Sequence, residues 1–258
     1  MTIIHAIILG IVEGITEFLP ISSTGHMILA GNLLHIPQTE FLKTFEIFIQ
    51  LGAILAVVVL FWKRLTTSIE SWKRIIIGFI PTGIIGLALY KVVKTYLLGN
   101  STVVLWSLLL GGIAILVFEL WYKRQEGERI ENIESISYKK SALVGLAQAV
   151  AIVPGVSRSA ATIVGGLLLG IKRETIVEFS FLLAIPTMLA ASGLDLLKSA
   201  SSIQANQIYL LAIGFVVSFV VALGSIKFLL NFVKKHTFIP FAIYRIAVAI
   251  LFWILIVR

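Results

Sequence analysis

One polar motif occurs twice in this chain, each time inside an apolar stretch. GIVEGITEFLPISSTGH runs from Gly10 to His26 and GLAQAVAIVPGVSRSAA from Gly145 to Ala161; at an offset of 135 residues the two align without a gap. Gly10 falls on Gly145, Glu13 on Gln148, Ser22 on Ser157, Ser23 on Arg158 and Thr24 on Ser159. Carboxylates, hydroxyls, a histidine and an arginine are costly in hydrocarbon and are rarely kept there without a task. Two copies restrict the fold to one in which a duplicated half-protein builds a single polar site from both halves.

The rest of the chain agrees with a membrane setting. Its hydrophobic fraction is 59% and its charged fraction 13%, with a mean hydropathy of +1.03; a soluble domain is about half apolar and roughly a quarter charged. The net charge of +8 does not point to nucleic acid, because the basic residues sit in short clusters between apolar runs, the pattern that sets membrane orientation. With no cysteine, disulfides, thiolate metal sites and cysteine nucleophiles are excluded. The N-terminal MTIIHAIILG lacks a basic region, which argues against a cleaved signal peptide.

Ten apolar segments divide the 258 residues. Four are short, roughly 4–20, 23–36, 141–153 and 159–171, and form two pairs broken at Pro20 and at Pro154-Gly155. Segments this short read as re-entrant halves, whose broken backbone is tolerated where protein or a wet cavity satisfies it. The other six, roughly 45–62, 75–97, 103–122, 176–197, 208–231 and 238–257, are long enough to cross. The expected fold is an all-α integral membrane protein with six transmembrane helices and two re-entrant hairpins. One repeat covers about 1–122, a polar linker about 123–140, and the second repeat about 141–258. Three crossings per half make the repeats inverted, so the hairpins enter from opposite faces and meet near the midplane.

Charge tests the arrangement. Lys63, Arg64, Lys73 and Arg74, then Lys123, Arg124, Arg129, Lys139 and Lys140, then Lys172 and Arg173, and finally Lys234 and Lys235 all fall on one side. That side is cytoplasmic by the positive-inside rule, which puts both termini and the mouth of the first hairpin outside. The linker mixes Glu126, Glu128, Glu131 and Glu134 with its basic residues and reads as a solvated connector without chemistry.

Within the motifs, Glu13 and Glu17 are four apart and share a helix face. They suit a divalent cation or proton handling, and Mg2+ or Ca2+ would accept two carboxylates facing a phosphate; they also suit a merely wet crevice. Gln148 and Ile152 replace them in the second half, so the acids come from half one. Ser22, Ser23 and Thr24 open one half-helix and Ser157, Arg158 and Ser159 the other; helix starts of this kind are caps or anion sites. Arg158 adds a planar fork that binds phosphate bidentately. His26 follows Ser23 by three residues, the start of a nucleophile–base pair. His5, His35 and His236 read as satisfied polar residues. Glu46 and Glu178, at matching places in the two halves, read equally well as first-turn acids. Tyr244 and Arg245 interrupt the last crossing and either bind phosphate or satisfy hairpin carbonyls, the second being favoured.

At EGITEFLPISSTGH, TFEIFIQLGAILAVV, PGVSRSAATIVGG, EFSFLLAIP and FIPFAIYR the chain resembles the bacterial undecaprenyl-pyrophosphate phosphatases associated with bacitracin resistance. The resemblance spans nearly the whole chain. It implies hydrolysis of a C55 polyprenyl diphosphate to the monophosphate, renewing the lipid carrier of peptidoglycan synthesis at the outer face of the plasma membrane. It assigns roles to Glu13, Glu17, Ser23, His26, Ser157 and Arg158, with Thr24 and Thr162 as supporting hydroxyls, and implies a divalent cation. The reading combines these expectations. Arg158, Ser157, Ser159, Ser22, Thr24, Thr162 and the helix starts hold the diphosphate, and Ser23 attacks with His26 or a glutamate taking its proton. Water as direct nucleophile stays open, as does oligomeric state, a homodimer included. The rival is a flippase or transporter of a lipid phosphate, to which inverted repeats with broken helices are also suited.

Overall fold

The computed structural model describes residues 1–97, 100–122, 129–199 and 207–254. In the first half lie α1 (Ile3–Thr16), α2 (Ser23–Leu33), α3 (Glu40–Leu60), the short α4 (Trp62–Thr67), α5 (Ile69–Val92) and α6 (Ser101–Tyr122). The second half holds α7 (Tyr138–Ala149), α8 (Arg158–Leu168), α9 (Arg173–Ser199), α10 (Ile208–Phe232) and α11 (Ile239–Phe252). Among the described residues the only β pairing is an isolated bridge between Ile130 and Ile171. Helix starts carry the side chains that satisfy free N–H groups: Thr2 accepts from His5 N at α1, Thr39 from Leu42 N at α3, and Ser137 from Lys140 N at α7.

Five helices, α3, α5, α6, α9 and α10, are long and apolar enough to cross a membrane, and the chain is an all-α multi-pass membrane protein. The sixth expected crossing, 238–257, corresponds to α11. This helix holds 14 residues, about 21 Å against roughly 30 Å of hydrocarbon, and residues 255–257 lie outside the described part.

The two halves exchange partners. α1 packs on α10 while its counterpart α7 packs on α5; α3 meets α9 and α10, and α6 meets α11. Small residues permit this approach, as in other membrane helix pairs. A Cβ on Gly145 would overlap the Gly78 carbonyl, and one on Gly10 would sit 2.9 Å from the Gly214 carbonyl. Each hairpin is thereby gripped by the opposite half, which holds the two polar turns against each other.

At one end of the bundle the Glu119 carboxylate, 1% exposed, is clasped by both terminal nitrogens of Arg173 and accepts the Phe238 N–H at 3.0 Å. The Arg173 guanidinium also lies 4.8 Å from the centre of the Phe238 ring, so α6, α9 and α11 are joined at one point. The linker departs from expectation. Lys123, Arg124, Glu126 and Glu128 lie outside the described residues, but beyond them Ile133 and Ile136 are buried. Glu134 accepts from Ser71 at 2.7 Å and from Ser68 at 3.1 Å. This stretch is anchored to the bundle because an isoleucine recurs at every third position, Ile130, Ile133 and Ile136, a pattern hidden in a charge-rich run. Glu46 and Glu178 are also displaced from the first-turn position expected of them. α3 starts at Glu40 and α9 at Arg173, so both acids lie past the first turn; Glu178 pairs with Arg64 at 3.1 Å.

Candidate active site

The chain leaves α1 at Thr16, runs through the Glu17–Ile21 turn and enters α2 at Ser23; the second hairpin does the same between α7 and α8. Both second arms are entered through a serine in the left-handed region, Ser22 at φ 73° and Ser157 at φ 78°. Non-glycine residues are uncommon there, and such strain persists only where the surroundings enforce it. Each serine side chain caps its helix, Ser22 accepting from Gly25 N and Ser157 from Ala160 N. Two helix N-termini, which favour anions, thereby open on one cavity of about 170 Å³ lined by Glu17, Ser22, Ser23, Thr24, Ser157 and Arg158.

Glu17 is the hub. Ser23 Oγ donates to Glu17 Oε2 at 2.6 Å, and Arg158 Nη2 donates to Glu17 Oε1 at 2.8 Å. Arg158 Nη1 donates to the Ser180 carbonyl at 2.9 Å, so the guanidinium is fixed from α9 as well. Its Nε–H is buried and has no partner among the described residues. An unpaired buried donor is uncommon, since such groups are otherwise satisfied.

His26 does not pair with Ser23. Its Nδ1 lies 2.8 Å from the Ser22 carbonyl oxygen and its Nε2 2.9 Å from the Tyr244 hydroxyl. The carbonyl can only accept, so Nδ1 carries a hydrogen; in the neutral ring Nε2 then accepts from the Tyr244 hydroxyl. The two rings also stack, with 5.5 Å between centres. Three residues along a helix bring Ser23 and His26 to one side, but the turned Ser22 backbone captures the imidazole.

Glu13 is 1% exposed and is not among the residues lining the cavity, with Oε1 unpartnered among the described residues. Glu17, Glu46 and Arg158 are the charged groups around it. Ser159 and Thr162 are fully buried and also lie off the cavity. Ser159 Oγ donates to the Leu19 carbonyl at 3.0 Å, pinning one hairpin tip to the other, and Thr162 bonds the Ser180 hydroxyl and the Arg158 carbonyl. Arg245, wholly buried, gathers carbonyls of both tips: Pro20 at 3.3 Å, Gly155 at 3.0 Å and Val156 at 2.9 Å, with Ser107 at 3.0 Å from α6.

Sequence reasoning did not single out Gln50 and Met188, which line the cavity, or Ser180, which seats Arg158. Gln50 interrupts an apolar helix within FIQLGA, and that polarity was the available signal. Among the described residues no three histidine or acidic side chains converge as a metal cage. The unsatisfied Glu13 oxygen beside Glu17 is a hard donor of the kind such a cation takes.

Residues 6–251 match the family model described as bacitracin resistance protein BacA. The undecaprenyl-diphosphatase of Aquifex aeolicus is 52% identical over 98% of this chain and 98% of its own length. That of Wolinella succinogenes is 51% identical over 98% and 97%, and that of Methanococcus aeolicus 46% identical over the full length of both. By the extent of these matches, the chain belongs to the bacitracin resistance protein BacA family.

Proposed function

We propose that this protein hydrolyses undecaprenyl diphosphate to undecaprenyl phosphate and inorganic phosphate, recycling the lipid carrier for cell-wall synthesis and conferring bacitracin resistance. The observation that carries the chemistry is the 2.6 Å hydrogen bond from Ser23 Oγ to Glu17 Oε2, with Arg158 on the other carboxylate oxygen. A hydroxyl, a base and an oriented guanidinium meet where two helix N-termini converge.

The terminal phosphoryl group sits against the N-terminal N–H groups of α2 and α8 and the Ser22, Thr24 and Ser157 hydroxyls, with Arg158 Nε–H on one oxygen. Ser23 Oγ attacks its phosphorus as Glu17 Oε2 takes the hydroxyl proton. The bond from phosphorus to the bridging oxygen breaks, and undecaprenyl phosphate leaves with that electron pair. Water then attacks the phosphoserine; Glu17 returns its proton to Ser23 Oγ as that bond breaks, and the phosphate departs carrying both hydrogens of the water, as H2PO4−. Such transfers depend mainly on positioning and on electrostatic stabilisation. His26 and Tyr244 hold the start of α2 in place through the Ser22 carbonyl. Glu13 and Glu17 would hold a divalent cation, Mg2+ or Ca2+, whose charge offsets that of the diphosphate.

Inverted repeats with six crossings and two re-entrant hairpins account for the exchanged packing of α1 on α10 and α7 on α5. The basic clusters then face the cytoplasm and the site opens outside the plasma membrane. A flippase or transporter would use the helix ends and Arg158 but has no use for a hydroxyl bonded to a carboxylate. The test is phosphate release from undecaprenyl diphosphate by purified protein in detergent, where no gradient exists. Release at an enzymatic rate supports hydrolysis, and binding without release supports transport.

A further inference from the structure

We propose that Gln50 is a substrate-binding residue. Its amide donates to the second phosphate, the one that stays with the lipid, and so sets a preference for a diphosphate over a monophosphate. This rests on the hydrolase reading above and names what the same cavity recognises. The described residues lining the cavity belong to the two hairpins, except for Gln50 of α3 and Met188 of α9. Among them Gln50 is therefore the polar group that stands apart from both helix N-termini. A glutamine inside an apolar helix of 21 residues carries one acceptor and two N–H donors that hydrocarbon cannot satisfy. The acceptor is used, since Gln50 Oε1 takes a long hydrogen bond from Ser192 Oγ of α9 at 3.5 Å. Nε2 donates to no group among the described residues, and it is not enclosed either, so it opens on the cavity that Gln50 lines.

Charge selects that orientation. Turned round, the side chain would present its carbonyl oxygen to a cavity that already holds the Glu17 carboxylate, and an incoming phosphate would be repelled. The backbone beneath it is fixed. Gly52 lies so close to α10 that a Cβ there would overlap the Phe215 carbonyl, and Ile49 and Ala53 are fully buried. The amide is thus held in place before the substrate arrives, which lowers the cost of binding. In the proposed reaction the helix N-termini and Arg158 take the terminal phosphoryl group. Gln50 faces them from a separate helix and takes the phosphate one bridging oxygen further on. As the bond to that oxygen breaks, the departing lipid phosphate gains negative charge, and a hydrogen bond to it strengthens. A neutral amide does this without competing with Arg158 for Glu17 and without retaining the charged product as an ammonium would.

Two measurements test this on the whole protein in detergent. The first is calorimetric binding of methylenediphosphonate and of inorganic phosphate, which needs no turnover. Gln50→Met keeps the length of the side chain and removes both N–H donors. Its Kd for methylenediphosphonate should rise about tenfold, the loss of one hydrogen bond to a charged group. Its Kd for phosphate and its unfolding midpoint should stay at the wild-type values. Gln50→Glu keeps the acceptor for Ser192 but turns a carboxylate on the cavity, and should bind the diphosphonate more weakly still. The second measurement is turnover of undecaprenyl diphosphate, where kcat/KM of Gln50→Met should fall about 10- to 100-fold. An unchanged Kd for methylenediphosphonate, an equal rise in both Kd values, or kcat/KM within about threefold of wild type would each overturn the assignment. A wild-type protein that binds methylenediphosphonate through Gln50 but releases no phosphate would instead remove the hydrolase reading and leave the binding role standing.

Discussion

Replacing Arg158 by lysine keeps a positive charge in the site and removes only the geometry of the fork. In the native arrangement Nη2 holds Glu17 at 2.8 Å and Nη1 holds the Ser180 carbonyl at 2.9 Å; Nε–H, without a partner among the described residues, is the donor proposed for a phosphate oxygen. A lysine ammonium is one compact nitrogen on a flexible stem. It can follow Glu17 or the phosphate, but it cannot also reach Ser180 along the directions the guanidinium uses. Two charge-assisted hydrogen bonds are lost, each contributing about 1.5–3 kcal/mol, so the barrier rises by roughly 3–6 kcal/mol. At about 1.4 kcal/mol per decade, kcat/KM should fall by some two to four orders of magnitude. The assay is phosphate release from undecaprenyl diphosphate, with thermal unfolding of the purified variant to show that the bundle is intact. A folded Arg158→Lys protein within about tenfold of wild type would show that charge alone suffices. The assignment of Nε–H to the phosphate would then be wrong.

Other consequences concern the frame around the site. Gly145→Ala should lower the thermal unfolding midpoint in detergent, because its Cβ overlaps the Gly78 carbonyl; overpacking of this kind costs about 1–3 kcal/mol or more, and an unchanged midpoint would contradict the close α5–α7 approach. Glu119→Gln leaves Arg173 without its buried counter-charge and should cost about 3–5 kcal/mol, read by the same unfolding assay and partly recovered in Glu119→Gln/Arg173→Met. In intact cells, a cysteine at exposed Asn100 should react with an impermeant thiol reagent while one at exposed Ser135 is protected; equal labelling would sink the orientation.

How much of this was readable from the chain depends on the element. The two hairpins were legible because Pro20 and Pro154-Gly155 break apolar runs at matching places, and four short helices end and begin within a few residues of those breaks. The exchange of α1 onto α10 and α7 onto α5 was not. Gly10, Gly78, Gly145 and Gly214 mark surfaces where backbones approach, but a small residue does not name its partner. In the site, Arg158 and Glu17 were visible as types, yet their pairing across 141 positions is a product of hairpin docking. The Ser23–His26 pairing read from spacing does not form, because a helix start is not a helix interior. Ser22 at φ 73° turns its carbonyl to the imidazole, and Ser23 faces the other arm. Arg245 shows the opposite case. A lone arginine in an apolar span was open to two roles, and five carbonyls from three segments occupy it.

The account turns on Ser23 as the attacking group, and a trapped covalent intermediate tests that most directly. Undecaprenyl diphosphate labelled in its terminal phosphate is mixed with the protein, quenched in acid within one turnover, and the peptide containing Ser23 is analysed. The account predicts label on Ser23, lost in Ser23→Ala together with turnover, while Ser23→Ala still binds the diphosphate through Arg158 and the helix N-termini. A Ser23→Ala protein that retains a sizeable share of wild-type turnover, with no label on Ser23 in the native protein, would contradict it and make water the attacker.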